Sequence, residues 1–325
     1  MRAAVVTRFG APDVIQMSEI PDPAPGSGEV SIDVTHAAVG LVDVFIRQGL
    51  YKDRAGLPQA PYVPGLEVAG TVRELGVGVD GFTVGEAVVT VTGTGPEGGY
   101  ASISVVDARF VVSLASSGVD PALAVAAVPN AATAYLALTR VAHLQEGETV
   151  LVHGALGGLA STFPGVARSL GASTVVGTVR PASLATAEAS GLPYDRVIGN
   201  NEFPDVLIDQ RFDVVIDPVG GDLRTASLDL MAPLGRLLAV GNASGDWQHT
   251  VRPTTCGSPI SRSSASAGAP TSQPTQSWPA PPPKGRSKPS AQASSTCTQT
   301  SSRSNKPPRR TASSMYSRTC GARSV

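Results

Sequence analysis

Residues 150–160, Val-Leu-Val-His-Gly-Ala-Leu-Gly-Gly-Leu-Ala, pass from an apolar stretch of strand length into glycines and then open a helix-patterned segment. Glycines at such a point let the backbone turn sharply and approach a pyrophosphate, whose charge then rests at the start of the following helix. Aligned on Gly157, the G-x-G-x-x-G/A spacing puts Ala155 first and Ala160 third, so the turn by itself is an imperfect fingerprint. Its surroundings strengthen it. A helix candidate over 157–170, then Gly171-Ala172, then a second strand over Thr174–Val179 give a βαβ unit of the expected length. Where an NAD-binding protein usually places an acidic residue for the ribose hydroxyls, this chain has Thr178, Val179 and Arg180. A cation there favours a 2′-phosphate and predicts NADPH as the cofactor. The other reading of Arg180 is a solvated residue starting a helix before Pro181.

Two further apolar strands end in tight turns. Asp213–Ile216 runs into Asp217-Pro218-Val219-Gly220-Gly221, and Leu237–Val240 runs into Gly241-Asn242. Ligands of open α/β sheets bind at such carboxyl ends, although Asp217 and Asn242 serve equally well as turn formers without a ligand. No G-x-S-x-G nucleophile turn or paired-carboxylate signature competes with this chemistry. His36, His143, His153 and His249 do not show metal-ligand spacing, and His153 reads as a strand-end residue beside the glycine turn.

The elements that would position these residues fall into two blocks. Over 1–119 short alternating strands are expected at Glu29–Val39, Val68–Leu75, Ala87–Val91, Ala101–Val106 and Phe110–Leu114, several separated by glycine turns, with Met1–Thr7 as an edge strand. That is the pattern of a β-rich domain. From Pro121 long helical candidates alternate with apolar strands at Thr149–His153, Thr174–Val179, Arg196–Ile198, Asp213–Ile216 and Arg236–Val240. This alternation predicts an α/β domain over 120–251 with a parallel sheet.

The chain changes character near Arg252. Residues 252–325 hold 11 of the 25 Lys and Arg residues and no Asp, Glu, Leu or Phe, so this tail is +11 and the preceding part −12. Ser, Thr, Pro, Arg and Ala dominate it, and no apolar periodicity survives, which predicts a disordered, low-complexity tail. Its P-x-x-P matches and arginines follow from that bias, so neither an SH3-type ligand nor a nucleic-acid partner is expected. Cys256, Cys297 and Cys320 all lie in the tail, which excludes disulfides and a cysteine-ligated zinc from the core. Neither a signal-peptide pattern nor a run of transmembrane length is evident, so a cytoplasmic protein without a membrane partner is expected.

Together these segments resemble the quinone oxidoreductase, or zeta-crystallin-like, zinc-independent branch of the medium-chain dehydrogenase/reductase superfamily, over about residues 1–250. The resemblance rests on Asp43-x-x-x-Arg47-x-Gly49-x-Tyr51, on Pro64-Gly65-x-Glu67-x-x-Gly70, and on Gly85-Glu86-Ala87-Val88. Thr133-Ala134-Tyr135, Gly154–Ala160 and Asp217–Gly220 complete it. It implies a GroES-like domain followed by a Rossmann-type domain. It places Thr133 against the nicotinamide carboxamide, with Asn130 as a neighbouring candidate that an N-cap role explains as well. Gly154, Ala155, Gly157, Gly158 and Leu159 would hold the pyrophosphate, Thr178 and Arg180 the adenosine phosphate, and Val219, Gly241 and Asn242 the nicotinamide ribose side. Asp43, Arg47 and Tyr51 would stand near the cleft as catalytic candidates, the alternative being an Asp43–Arg47 pair four apart on a helix.

Departures from the pattern are equally specific. Gly40 and Leu66 stand where zinc-dependent relatives carry Cys and His, so no catalytic metal is expected. Many quinone reductases carry Asn at the place of Gly40. After Gly245 the resemblance implies two more sheet strands that build a homodimer edge and a segment that closes the first domain. The tail has that length but not that chemistry, as expected of a shifted coding frame, and the nucleotide sheet is therefore expected to be incomplete. The activity implied is an NADPH-dependent reductase transferring hydride to a quinone or activated enone. The alternatives are an enoyl or 2-alkenal reductase with Tyr51 as proton donor, or a non-catalytic cofactor-binding remnant.

Overall fold

A computed structural model describes residues 1–92, 97–251 and the backbone of 262–264. The chain opens with a hairpin of β1 (Arg2–Val6) and β2 (Ile15–Glu19), in antiparallel register with Arg2 opposite Glu19. β2 escaped the sequence reading because its residues are exposed on both faces, which removes the alternation that marks a half-buried strand.

A five-stranded antiparallel sheet follows. Its strands are β3 (Glu29–Ala37), β4 (Glu67–Leu75), β5 (Ala87–Val91), β6 (Ile103–Asp107) and β7 (Val111–Ser113), in the order β6-β3-β4-β5-β7. Alternation puts Val30, Ile32, Val72, Val88, Val106 and Val111 into one buried cluster, as β-branched residues on one face of a pleat should be. Between β3 and β4 the chain forms α1 (Leu41–Arg47), the helix that carries Asp43 and Arg47.

The long helix α2 (Pro121–Leu136) joins this block to the next. Asp120 caps it by accepting from the N–H groups of Ala122 and Leu123, and Pro121 fills its first position. Ala124 and Val125 pack with Ala69 and Val89 of the antiparallel sheet, while Ala134 joins the core of the parallel sheet. With the single π turn after it, the helix over Pro121–Val141 is 21 residues and by length and composition apolar enough to cross a membrane. The expectation that no run has that length is therefore corrected. The span arises because α2 serves two cores at once and so carries few charges.

The second sheet is parallel throughout. It contains β8 (Thr149–His153), β9 (Thr174–Val179), β10 (Arg196–Gly199), β11 (Phe212–Asp217), β12 (Met231–Ala239) and β13 (Arg262–Ser264), in the order β10-β9-β8-β11-β12-β13. The helices α3 (Phe163–Ser169), α4 (Leu184–Ala189) and α5 (Asp222–Leu228) are the crossovers. Val150, Val152, Val214, Ile216 and Leu238 are buried on one face, and Leu151, Val176, Val215 and Leu237 on the other. A parallel sheet covered on both sides requires such continuous apolar strands.

Two expectations change. β12 begins five residues before Arg236, where the sequence places its start, because Pro233-Leu234-Gly235 form an irregularity inside the strand, with Leu234 at φ 64°. The sheet also does not stop at β12, since Arg262–Ser264 pairs with Arg236–Leu238 in parallel as a sixth strand at the edge. The remaining calls on the tail, including its disorder, fall on 252–261 and 265–325, outside the described residues.

Candidate functional site

Numbered within the parallel sheet alone, the strand order is 3-2-1-4-5-6, so the order reverses between β8 and β11. At that reversal the connections leave in opposite directions and a crevice opens beyond the carboxyl ends, the place where doubly wound sheets take dinucleotides. The glycine turn leaves β8 there, and the Asp217 turn leaves β11 beside it.

The glycine turn is shaped from beneath. Gly154 sits at φ 63°, a left-handed conformation that favours glycine, and the Ala155 N–H donates to the Thr178 carbonyl at 2.9 Å. Ala155 is buried, whereas Gly157 and Gly158 are exposed. The Tyr194 hydroxyl braces the loop by donating towards the carbonyls of Ala155 (3.3 Å) and Ala160 (3.2 Å), and burial raises that phenol. The chain then continues as a 3-10 turn over Ala160–Thr162 before α3, so the helix expected from 157 starts later.

Asp217 organises the neighbouring turn. Its fully buried carboxylate accepts from Val219 N–H (2.9 Å), Gly220 N–H (2.8 Å) and Arg224 Nε (2.6 Å). Arg224 Nη2 also donates to the Gly241 carbonyl at 2.8 Å, which ties the turn after β11 to the turn after β12. Val219 leans on the glycine turn, since a Cβ at Gly154 would lie 3.2 Å from Val219 Cγ2. Gly241 lies against Pro218, and a Cβ on Gly220 would collide with Asn242 Oδ1. Asn242 keeps only 9% of its surface exposed, and its Nδ2 has no hydrogen-bond partner among the described residues. An orphaned buried donor beside the Gly220 turn fits a ribose or amide oxygen of a dinucleotide.

The remaining cofactor candidates divide. Thr133 is exposed on α2, with its hydroxyl on the Pro129 carbonyl (3.0 Å). Asn130 is a mid-helix residue and not an N-cap, a role Asp120 fills; its carbonyl accepts from Thr162 Oγ1 at 3.3 Å, and its Nδ2 lies 3.9 Å from where a Gly158 Cβ would stand. Leu159 is half-buried against the parallel-sheet core. Arg180 is exposed at the end of β9, with no side-chain partner among the described residues. Thr178 is the correction: it has no exposed surface, and its hydroxyl is spent on His153 Nδ1 at 2.8 Å, so its side chain does not reach an adenosine phosphate.

His153 is fully buried, and desolvation lowers its pKa to about 4, so the ring is neutral. Ser227 Oγ donates to the Leu223 carbonyl (2.6 Å), which leaves it to accept from His153 Nε2 at 2.7 Å. The proton therefore sits on Nε2, and Nδ1 accepts from Thr178. This chain of bonds joins β8, β9 and α5 beneath the crevice.

Asp43, Arg47 and Tyr51 lie on and just after α1. Asp43 is buried and accepts from the Gly40 N–H at 2.8 Å; burial raises its carboxyl, and burial together with the Asp43 charge raises Glu67. The alternative Asp43–Arg47 pair is not formed, because Arg47 Nε donates to the Gly10 carbonyl at 3.2 Å and Asp43 is turned back onto the helix start. Tyr51 is half-buried under the Arg54 guanidinium, 4.1 Å from its centroid, and packs edge-on with Phe45 and Trp247. Burial raises its phenol pKa.

Three residues of this site were not foreseen. Arg224 lies seven residues from Asp217 and Ser227 lies 74 from His153, so no local spacing announces either. Trp247 could have been singled out as one of two tryptophans in the chain. Among the described residues no three His, Cys, Asp or Glu side chains are grouped to hold a metal ion.

The family described as Alcohol dehydrogenase GroES-like domain matches residues 26–116. The chain is 32% identical over 249 residues to 2-haloacrylate reductase of Burkholderia sp, covering 75% of this chain and 74% of that protein. It is 31% identical over 242 residues to quinone oxidoreductase of Pseudomonas aeruginosa, covering 73% and 72%. It is 29% identical over 249 residues to the human synaptic vesicle membrane protein VAT-1 homolog, spanning 62% of that relative's length. The crystal structure of Escherichia coli quinone oxidoreductase complexed with NADPH superposes with a TM-score of 0.70 at 25% identity, covering 82% of this chain and 81% of that one. With the two-sheet architecture and the crevice at the strand-order reversal, these likenesses show that the chain belongs to the quinone oxidoreductase family of the medium-chain dehydrogenase/reductase superfamily.

Proposed function

We propose that this protein is an NADPH-dependent reductase that passes hydride to a quinone or another activated, electron-poor alkene without a metal. The observation that carries this reading is the strand-order reversal between β8 and β11, where the exposed Gly157 and Gly158 follow β8 and where Asn242, after β12, keeps a buried Nδ2 without a partner among the described residues. NADPH, when bound, supplies the hydride. Gly154–Leu159 would carry the pyrophosphate, Arg180 the 2′-phosphate, and Asn242 with Gly241 and Val219 the nicotinamide ribose side. Thr133, with Asn130 just before it on α2, would face the nicotinamide carboxamide.

The chain's own contribution is orientation and exclusion of water. The Asp217–Arg224–Gly241 bonds fix two of the three turns relative to each other. Holding a donor and an acceptor carbon in contact in such a site lowers a barrier by several kcal/mol, on the order of 7 in favourable cases. For an alkene acceptor the carbanion formed after hydride arrival needs a proton, and Tyr51, whose pKa is raised by burial, keeps its proton at neutral pH to give. The names of two relatives, a quinone oxidoreductase and a 2-haloacrylate reductase, support both acceptor classes.

The test is NADPH consumption by the purified chain with 1,4-naphthoquinone and with a 2-alkenal, for wild type and Tyr51→Phe. Turnover with the quinone that survives Tyr51→Phe supports the quinone reading. Turnover confined to the alkenal, and lost in Tyr51→Phe, supports the 2-alkenal reading. No turnover with either acceptor overturns both.

A further inference from the structure

We propose that Trp247 is a specificity-determining residue of the acceptor site, its ring forming a wall that favours planar ring acceptors over short carboxylic acids. The proposal rests on the reductase reading above. The segment after β12 starts at Gly241-Asn242 in the cofactor crevice and makes two tight turns, with Gly245 N–H on the Asn242 carbonyl (3.0 Å) and Trp247 N–H on the Gly245 carbonyl (3.1 Å). These turns carry the chain from the carboxyl ends of the parallel strands across to α1 of the first block.

There the indole meets two rings. Its centroid is 5.3 Å from Phe45 at 78° and 5.7 Å from Tyr51 at 87°, while Phe45 and Tyr51 are 6.2 Å apart at 85°. Three mutually near-perpendicular rings form the corner of a box, each edge resting on a neighbour's face, which is the favoured aromatic geometry. A corner closed on all sides would be plain core. This one is not, because Trp247 keeps 39% of its surface exposed, and Tyr51 is a candidate proton donor.

The chemistry of that surface is selective. A planar quinone or aryl ketone can lie against an indole face or edge at little entropic cost, because the corner is already ordered by its own ring contacts. A three-carbon acid such as a 2-haloacrylate has no ring to place there. Arg54, beside this corner, is stacked on the Tyr51 ring, 4.1 Å from its centroid. Trp247 thus acts on which acceptor binds, and Asn242, five residues earlier, on the cofactor side.

The test uses the full chain with Trp278→Phe, so that Trp247 is the only tryptophan. In saturating NADP⁺, 1,4-naphthoquinone is expected to quench Trp247 emission saturably, and 2-chloroacrylate is expected to leave it unchanged. In steady state, Trp247→Ala is expected to raise the KM for naphthoquinone about tenfold, with kcat and the KM for NADPH within about twofold, and Trp247→Phe to recover most of the loss. Absence of saturable quenching overturns the proposal. So does a Trp247→Ala variant with an unchanged quinone KM, or one that loses kcat equally with every acceptor, as a merely structural tryptophan would. If no acceptor supports turnover the reductase reading fails, and the quenching titration still decides whether planar rings bind at Trp247.

Discussion

The imidazole of His153, at the end of β8, donates from Nε2 to Ser227 Oγ of α5 at 2.7 Å, with neither side chain exposed. One neutral histidine thereby fastens the crossover helix after the Asp217 turn to the strand that leads into the glycine turn.

That arrangement makes stability depend on acid. The unfolded chain protonates this histidine near pH 6.5, while the folded chain resists until about pH 4. The folded pKa is depressed, so the contribution is fully present above pH 6.5 and is lost as pH falls to about 4. Its size is at most about 3 kcal/mol. Urea midpoints measured across that range should fall in the wild type, and His153→Asn should lack this component of the decline while being less stable at pH 7.

Arg224→Leu removes the only cation bonded to the fully buried Asp217 carboxylate among the described residues. Two backbone N–H donors remain, but a buried charge without its partner is costly, and a loss of about 3 kcal/mol is expected. Asp217→Asn should cost less, since it leaves no buried charge and the Arg224 head is partly solvated. Equilibrium urea unfolding of the two variants gives the comparison, with the order Arg224→Leu below Asp217→Asn.

Gly220→Ala tests whether the turns are as close as they look. Gly220 lies at φ 80° and its Cβ would collide with Asn242 Oδ1, so the substitution must move Asn242 or the turn. A stability cost of about 1–2 kcal/mol is expected from the backbone alone. NADPH affinity should fall about tenfold, the loss of one hydrogen bond in the site. Isothermal titration reads the affinity and thermal melting the stability.

How far the chain could be read without coordinates follows the physics of its signals. Thr149–His153, Thr174–Val179 and Asp213–Ile216 are mostly apolar and buried on both faces, so their strands were legible almost to the residue. The glycine turn was legible because its conformation restricts residue type. β2 was not, since an exposed hairpin strand has no apolar alternation, and β13 was not, because Arg262–Ser264 is held by backbone pairing to β12 and carries no apolar residue. Thr178 was placed on the right strand and assigned to the wrong neighbour. A strand position fixes which face a side chain takes only once its partners are known, and His153 took that hydroxyl. The Asp217–Arg224 and Phe45–Trp247 contacts join segments that no spacing rule connects.

On the proposed reading, Arg180 would set the choice between nicotinamide cofactors. It is exposed at the end of β9, where a 2′-phosphate would stand in a doubly wound sheet. Arg180→Ala should raise the Kd for NADPH by about tenfold or more, as expected for one charge-assisted hydrogen bond, and leave the Kd for NADH within about twofold. Competition titrations with 2′-phospho-AMP and AMP separate the phosphate contact from the rest of the nucleotide.

The most direct measurement is a titration of the purified full-length chain with NADPH, followed by nicotinamide fluorescence, with NADH as the control. Saturable binding that prefers NADPH by about tenfold or more is the expected result. Absence of saturable binding, or equal affinity for NADH, would contradict the account of the crevice at Gly154–Leu159, Arg180 and Asn242 as an NADPH site.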